Sequence, residues 1–261
     1  MSSLALRCVL AIWVSLWIGS AAAADLAAAR ALLDSTKASD AEAASEQFEA
    51  AVRANPEDFE ARLGAAESLN QVMAIRTNGN LPLVDRLQDT PANKALWSAL
   101  SPRALGHARK AVVLDPASVR AAAALATAYM FHASSLGILQ SIVSGAGSEY
   151  RTHAGRLLEM DPRHEDGLAD TLFASLYLVA PWPVGDSDAA RSHFEKAAGY
   201  SPKSVRNQYG LGVYWAREGD AAKARPHFQR VAELPCRPTT ERLFCGFMKQ
   251  AARDAMASLA R

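Results

Sequence analysis

The chain has 261 residues, of which 50% are hydrophobic and 21% charged, and its formal net charge at pH 7 is +1. This near balance of charge argues against a nucleic-acid partner and against attraction to an anionic membrane surface, so we expect neither. The length is enough for one or two domains with a sizeable core.

The first 24 residues have the pattern of a secretory signal peptide. One basic residue, Arg7, precedes an apolar run over residues 8–18, and small residues follow up to Ala24. The run is too short to span a membrane, although an uncleaved anchor is the alternative interpretation. We predict cleavage after Ala24 or Ala23, a periplasmic product that does not span the membrane, and, because only Arg7 is charged in the segment, a product with no net charge.

The spacing Ala-x3-Phe-x2-Ala-x4-Pro recurs along the rest of the chain. It is complete at residues 44–56 and 190–202, carries Ala in place of Phe at 104–116, is looser at 150–162, and has its proline one residue early at 224–235. Residues at i, i+4 and i+7 share one face of a helix, where the small ones admit a neighbouring helix and the large one fills the gap. Proline cannot continue the helix, so the spacing predicts an all-α chain of repeated helical units.

The last regular unit resembles a tetratricopeptide repeat closely. Leu211, Gly212 and Trp215 stand where that family places Leu, Gly and an aromatic residue, and Ala224 and Phe228 follow at the family's offsets. Weaker matches follow the earlier prolines of the series. The resemblance implies a right-handed solenoid of helical hairpins whose first helices line a concave groove.

The resemblance covers most of residues 40–235 and predicts a single solenoid domain over residues 25–261. The intervals between the prolines are 60, 46, 40 and 33 residues, whereas the family's unit has about 34. The first three units therefore carry extra chain, which we place between the two helices of each unit, within residues 77–91, 134–147 and 179–187. Insertions of this kind often carry binding specificity.

Two cysteines, Cys236 and Cys245, would remain after cleavage. An even pair in an exported chain predicts a disulfide, although two free buried thiols are an alternative, and a redox pair is disfavoured because the spacing is not Cys-x-x-Cys. Residues 238–241 have the character of a helix start, so we predict a capping helix over about residues 240–259 that the bridge staples onto the last repeat.

No combination of residues indicates catalysis, a metal site or a cofactor. His193 and His227 each precede a repeat Phe, a position that usually faces solvent. Asp186 and Asp188 resemble a fragment of a calcium loop, but the other ligands are missing, so we expect them to cap the next helix. The sequence therefore predicts a non-enzymatic protein.

The resemblance also implies which side chains face the groove. The family's inward positions, transferred to the units after the second, third and fourth prolines, include Arg120, Thr127, Met130, Phe173, Arg206, Tyr209 and Val213. Such a lining suits an apolar small molecule with an anionic group or a peptide with a terminal carboxylate. The Asn/Lys clamp of the chaperone-binding members is missing, which disfavours that class of partner. The alternative is that these side chains pack on one another or on the insertions.

Two insertions are unusually apolar. Residues 136–143 could extend the first helix of their unit beyond the edge of the solenoid. Trp182 stands between Pro181 and Pro183, which restricts its position, and it is a candidate for a lid or contact residue or for a plug in the core.

Three functions are consistent with these features. The first is a periplasmic binding or adaptor protein, and exported proteins of this design are similar to the T component of TRAP-type transporters, which implies an accessory role in moving an organic or lipid-like solute. The second is a scaffold for assembly of a cell-envelope or secretion complex. The third, which the residues support least, is an enzyme. A homo-oligomer is compatible with each of them.

Overall fold

The structure is a computed structural model that describes residues 26–77, 90–237 and 241–259. The predicted signal peptide, most of the first insertion and the predicted start of the capping helix lie outside these residues. Within the described residues all regular elements are helices, which confirms the predicted fold class, and none of these helices is both long and apolar enough to cross a membrane.

The elements follow one another along the described chain in a simple order. They are α1 (residues 26–32), α2 (Ala38–Ala54), α3 (Phe59–Arg76), α4 (Pro91–Leu114), α5 (Val119–Leu136), α6 (Ile138–Val143), α7 (Ala146–Met160), a 3-10 turn (His164–Asp166), α8 (Leu168–Val179), α9 (Ser187–Tyr200), α10 (Val205–Arg217), α11 (Ala221–Glu233) and α12 (Cys245–Ser258). Successive long helices pack against each other, so that α3 with α4, α5 with α7, α8 with α9 and α10 with α11 form hairpins.

A polar side chain caps the helix that follows three of the repeat prolines. Asp58, Ser118 and Ser204 each stand two residues after the proline and accept a hydrogen bond from the third backbone N–H of α3, α5 and α10. Such a cap satisfies one of the free N–H groups at a helix start and stabilises it by about 1 kcal/mol. The proline and the cap together fix where each hairpin begins.

The unit after Pro162 begins differently, because His164 stands at the capping position. The chain forms a 3-10 turn there, and Glu165 and Asp166 adopt left-handed backbone conformations with φ of 44° and 63°. Such conformations are strained for residues with a side chain and persist only where their surroundings hold them.

The repeat phenylalanines pack directly on glycines of neighbouring helices. A Cβ atom added to Gly64 would lie 2.3 Å from the ring of Phe48, and one added to Gly210 would lie 2.4 Å from the ring of Phe194. Each pair is arranged symmetrically about a repeat proline, with the ring eight residues before it and the glycine eight residues after it. The missing side chain therefore makes room for the ring, which brings consecutive hairpins into close contact.

The second insertion does not extend α5, contrary to one expectation from its apolar sequence. The helix ends at Leu136 because Gly137 adopts φ of 75°, and the separate short helix α6 follows. Leu139 and Val143 of α6 are 77% and 88% exposed. The extra chain of this unit is therefore a separate surface element between α5 and α7.

The capping helix starts later than predicted, at Cys245, and the residues before it form a turn. We call residues 241–244 the C-terminal segment. Cys236 and Cys245 are joined by a disulfide, and closing a loop of this size stabilises a fold by about 2–3 kcal/mol. Leu243 packs against both the core of α3 to α8 and the core of α8 to α12, so the segment joins the two parts of the solenoid.

Candidate functional site

A cavity of about 420 Å³ lies between the first helices of the N-terminal units and the C-terminal segment. Its walls come from α1, α3, α5, the start of α8 and the segment itself. We call it the α3–α5 cavity and define it by six of the residues that line it: Arg30, Glu67, Asn70, Arg120, Thr127 and Arg242.

One carboxylate holds two arginines at the wall of this cavity. Glu67 accepts hydrogen bonds from Arg120 at 3.0 and 3.2 Å, and it also forms an ion pair with Arg30. Glu60 lies 3.2 Å from Arg30 and 3.9 Å from Arg120. Charge-assisted bonds of this kind fix the orientation of guanidinium groups, so both arginines are positioned before any ligand arrives.

The wall of the cavity also contains Asn70, whose side-chain carbonyl is a hydrogen-bond acceptor. Its side chain is 7% exposed and donates a hydrogen bond of 2.9 Å to the carbonyl of Ala124. Its carbonyl oxygen Oδ1 has no hydrogen-bond partner within the described part of the chain. A buried polar atom without a partner costs about 1–3 kcal/mol, so this oxygen, which is shielded from solvent, is a destabilising feature of the cavity wall.

Four of the predicted groove residues do not line this cavity because they lie in the core or beneath the C-terminal segment. Met130, Tyr209 and Val213 are 7%, 3% and 2% exposed and pack in the core. Arg206 is 2% exposed, and its guanidinium lies 5.9 Å from the ring of Phe244. The inward face of α10 is therefore covered, not by an insertion as considered from the sequence, but by the chain's own C-terminal segment.

Burial affects the pKa of Arg206. Removal from water lowers the pKa of this guanidinium, and the nearby Glu165, Asp166 and Glu241 carboxylates oppose the shift. Arg206 donates a hydrogen bond to the backbone carbonyl of Glu165, in the strained turn before α8. The arginine thus helps hold that turn in its left-handed conformation.

Phe173 belongs to a different cluster, between α8 and α9. Its ring stacks on His193 and Tyr177, with centroids 5.0 and 6.0 Å away. His193 Nδ1 lies 2.6 Å from a carboxylate oxygen of the fully buried Asp170. The expectation that His193 faces solvent is wrong, because this hydrogen bond and the stacked rings hold its side chain between the two helices.

The other histidine predicted to face solvent, His227, is also held between helices. Its Nδ1 lies 2.9 Å from the side-chain oxygen of Gln208, and burial lowers its pKa.

Trp182 is 88% exposed and does not plug the core, so its candidate role as a contact residue stays a prediction. Asp186 caps α9, as expected, by accepting from the backbone N–H of Ala189.

Comparison with known proteins shows which fold these features belong to. A model of the tetratricopeptide repeat matches residues 183–238, which contain α9, α10 and α11. The structure is similar to the crystal structure of TTC0263, a thermophilic TPR protein of Thermus thermophilus, with a TM-score of 0.55 and 17% identity over 85% of this chain and 91% of that one. The fold is a tetratricopeptide-repeat solenoid.

A second structural match is the crystal structure of MamA protein, with a TM-score of 0.45 and 15% identity over 74% of this chain and 81% of that one. A search of curated proteins found no match to the sequence. Within the described residues, no group of three or more His, Cys, Asp or Glu side chains could hold a metal ion.

The tetratricopeptide register explains which cavity residues the sequence could have revealed. The inward positions that select Arg120, Thr127 and Met130 in one unit select Glu60, Glu67 and Asn70 when they are applied to the unit after the first proline. The sequence-based prediction did not include these three residues. Arg30 precedes the repeat frame and Arg242 follows it, so the repeat register contains no signal for either residue.

Proposed function

We propose that this protein is an exported, non-enzymatic adaptor that binds a segment of a partner protein in the α3–α5 cavity. The observation that carries the proposal is that two arginines, Arg30 and Arg120, are held by carboxylates at the wall of the cavity. A protein segment offers a carboxylate to these arginines, whereas a purely apolar ligand does not. The tetratricopeptide fold supports a protein-binding role for this face.

Export rests on the signal-peptide pattern of residues 1–24. The mass of the protein purified from its own cells tests this part separately. A mature chain beginning at Asp25, or at Ala24, supports export, and an intact Met1 contradicts it.

Photo-cross-linking tests the cavity. A photoreactive amino acid replaces Asp34, which is exposed and lines the cavity, and the control chain carries it at Glu195, which is exposed on α9. We expect a cross-linked protein from position 34 and not from position 195 when the cells are irradiated.

A single substitution tests whether Arg120 is part of the binding site. Arg120→Gln keeps a polar side chain and removes the positive charge at a position where the side chain is 47% exposed, and loss of a charge-assisted hydrogen bond of about 1.5–3 kcal/mol should reduce the cross-linked product by roughly tenfold or more. Unchanged product in Arg120→Gln, or equal product from the two positions, would show that the partner binds elsewhere.

A second candidate is an accessory role in transport, with an anionic organic or lipid-like solute in the same cavity. Its volume, about 420 Å³, lies within the usual range for small-molecule sites of about 300–1,000 Å³. Native mass spectrometry of the gently purified protein separates this role from the first. A bound mass of a few hundred daltons that leaves on activation and is missing from Arg120→Gln would favour the solute.

A further inference from the structure

The C-terminal segment makes the contacts that a bound peptide would make. Glu241 is fully buried, and its Oε1 accepts hydrogen bonds from the hydroxyl of Ser204 at 2.8 Å and from the backbone N–H of Val205 at 2.7 Å. These donors stand at the start of α10, where the helix dipole favours a negative charge. A carboxylate from outside the repeats is thus bound at a helix N-terminus.

Opposite charges hold Arg237, which lies four residues before Glu241. Arg237 forms a two-pronged ion pair with Asp166, and it lies 3.3 Å from Glu241. Burial alone would lower the pKa of this guanidinium, but its hydrogen bonds to the two carboxylates raise it overall. Arg237 and Arg206 both contact the strained turn, one through the Asp166 side chain and the other through the backbone of Glu165.

An aromatic anchor completes the arrangement. Phe244, three residues after Glu241, is 2% exposed and packs in the same core as Tyr209 and Val213 of α10. Its ring lies 5.9 Å from the guanidinium of Arg206. An acidic side chain at the helix start and an aromatic side chain on the helix face are the polar and apolar anchors by which peptides are usually recognised.

We propose that the inward face of α10 is a peptide site distinct from the α3–α5 cavity, and that the chain's own C-terminal segment occupies it as a built-in competitor. The partner that fits is a protein segment with a carboxylate three residues before an aromatic ring, the spacing of Glu241 and Phe244. Its carboxylate would take the donors of Ser204 and Val205, and its ring would take the place of Phe244. Arg242, Leu243 and Phe244 of the segment also line the α3–α5 cavity, so the two sites share this wall.

The disulfide keeps the competitor in place. It joins Cys236, which is exposed, to Cys245, which is 1% exposed and directly follows the segment. A dithiol would open it by exchange: a thiolate of the dithiol attacks Cys236, Cys245 leaves as a thiolate and takes up a proton, and the second thiol of the dithiol then displaces Cys236. The dithiol ends as a disulfide and the chain carries two thiols, so the segment keeps only its non-covalent contacts.

A labelled peptide tests the site. The probe has the sequence of residues 237–247 with serine in place of the cysteine, and its binding is followed by fluorescence anisotropy. We expect the full-length chain with Cys236→Ser and Cys245→Ser to bind it at least about tenfold more tightly than the disulfide-bonded chain, because the competitor is no longer tethered. The control probe carries Gln in place of Glu241 and Ala in place of Phe244, and should bind about tenfold more weakly or not at all.

Three results would overturn the proposal. One is no binding of the probe to a double-serine chain that keeps its helical circular dichroism. Another is equal binding of the two probes. The third applies if the double-serine chain loses its helical signal. The disulfide-bonded chain with Glu241→Gln then replaces it, because this change weakens the competitor without opening the bridge. Failure of that chain to bind the probe more tightly than the unchanged chain would overturn the proposal.

Discussion

At the scale of single residues, a large side chain on one helix packs against a position on the neighbouring helix that has no side chain. Where the residue eight before a repeat proline is Phe194, the residue eight after it is Gly210, and where the first is Ala108 the second is Ala124. Both alanines are fully or almost fully buried. The two choices are alternative solutions to the same packing problem, because a ring needs an empty position opposite and a methyl group does not.

This pairing predicts non-additive stabilities. Gly210→Ala places a Cβ atom 2.4 Å from the Phe194 ring, so we expect it to lower the free energy of unfolding by about 1–3 kcal/mol. Phe194→Ala leaves a cavity and should cost about 3–5 kcal/mol. The double variant recreates the Ala108–Ala124 combination and should be more stable than the sum of the single effects by about 1 kcal/mol or more in urea denaturation.

A second glycine provides the control for the effect of glycine itself. Gly106 is exposed within α4, and a Cβ atom added there meets nothing within 4 Å. Gly106→Ala should therefore stabilise the protein by about 0.5–1 kcal/mol, since alanine favours the helix. If Gly210→Ala also stabilised the protein, or if the double variant were strictly additive, the packing interpretation would be wrong.

At the scale of helices, histidines placed between neighbours make the packing sensitive to acid. The half-buried set consists of His107, His132, His153 and His227, and burial is the first cause of the lowered pKa of each. In the unfolded chain their pKa is about 6.5. As the pH falls below that value the unfolded state takes up more protons than the folded state, so the free energy of unfolding decreases; above it this contribution to stability is fully present.

We therefore expect a lower melting temperature at pH 5.5 than at pH 7.5. His153 stacks on Tyr129 of α5, with ring centroids 4.7 Å apart. His153→Gln removes one of the four titrating groups and should reduce the difference between the two melting temperatures. The matched control is Arg151→Gln, an exposed change on the same helix that should leave the difference as it is. A melting temperature that is equal or higher at pH 5.5 would contradict the expectation.

The helices also show how far local sequence determines this fold. The repeat spacing predicted the hairpins because one face, one proline and one cap per unit fix a helix and its end. It did not predict the break at Gly137, since an apolar run over residues 136–143 is compatible with a continuous helix, and a single left-handed glycine decides otherwise. Of its groove candidates, Arg120 and Thr127 line the cavity, whereas Arg206 and Tyr209 are buried on a face that another segment covers.

At the scale of the whole molecule, the C-terminal segment connects the two ends of the solenoid. Arg242 donates a hydrogen bond to the backbone carbonyl of Leu33, 209 residues earlier, at the end of α1. Repeat proteins normally form contacts between adjacent units, so the ends of the array are independent of each other. Here the C-terminal segment contacts the end of α1, and no local pattern in the sequence indicates that contact.

Removing this connection should loosen the N-terminal end alone. Arg242→Ala deletes the bond to Leu33, whereas Gln71 of α3 still donates to the carbonyls of Leu33 and Ser35 at 3.0 Å. Loss of one hydrogen bond of about 1 kcal/mol should speed amide exchange over residues 26–35 by roughly fivefold, as measured by mass spectrometry, with no change in α10.

The size of the change in amide exchange, and its position in the chain, show whether Arg242 connects the C-terminal segment to α1 or stabilises the fold as a whole. Arg225→Ala is the control, because Arg225 also donates to a backbone carbonyl, that of Leu259, but at the far end of α12. It should leave exchange over residues 26–35 unaltered. Faster exchange throughout the chain in Arg242→Ala would mean that the segment stabilises the fold as a whole, and unaltered exchange over residues 26–35 would mean that α1 is held by α3 without it.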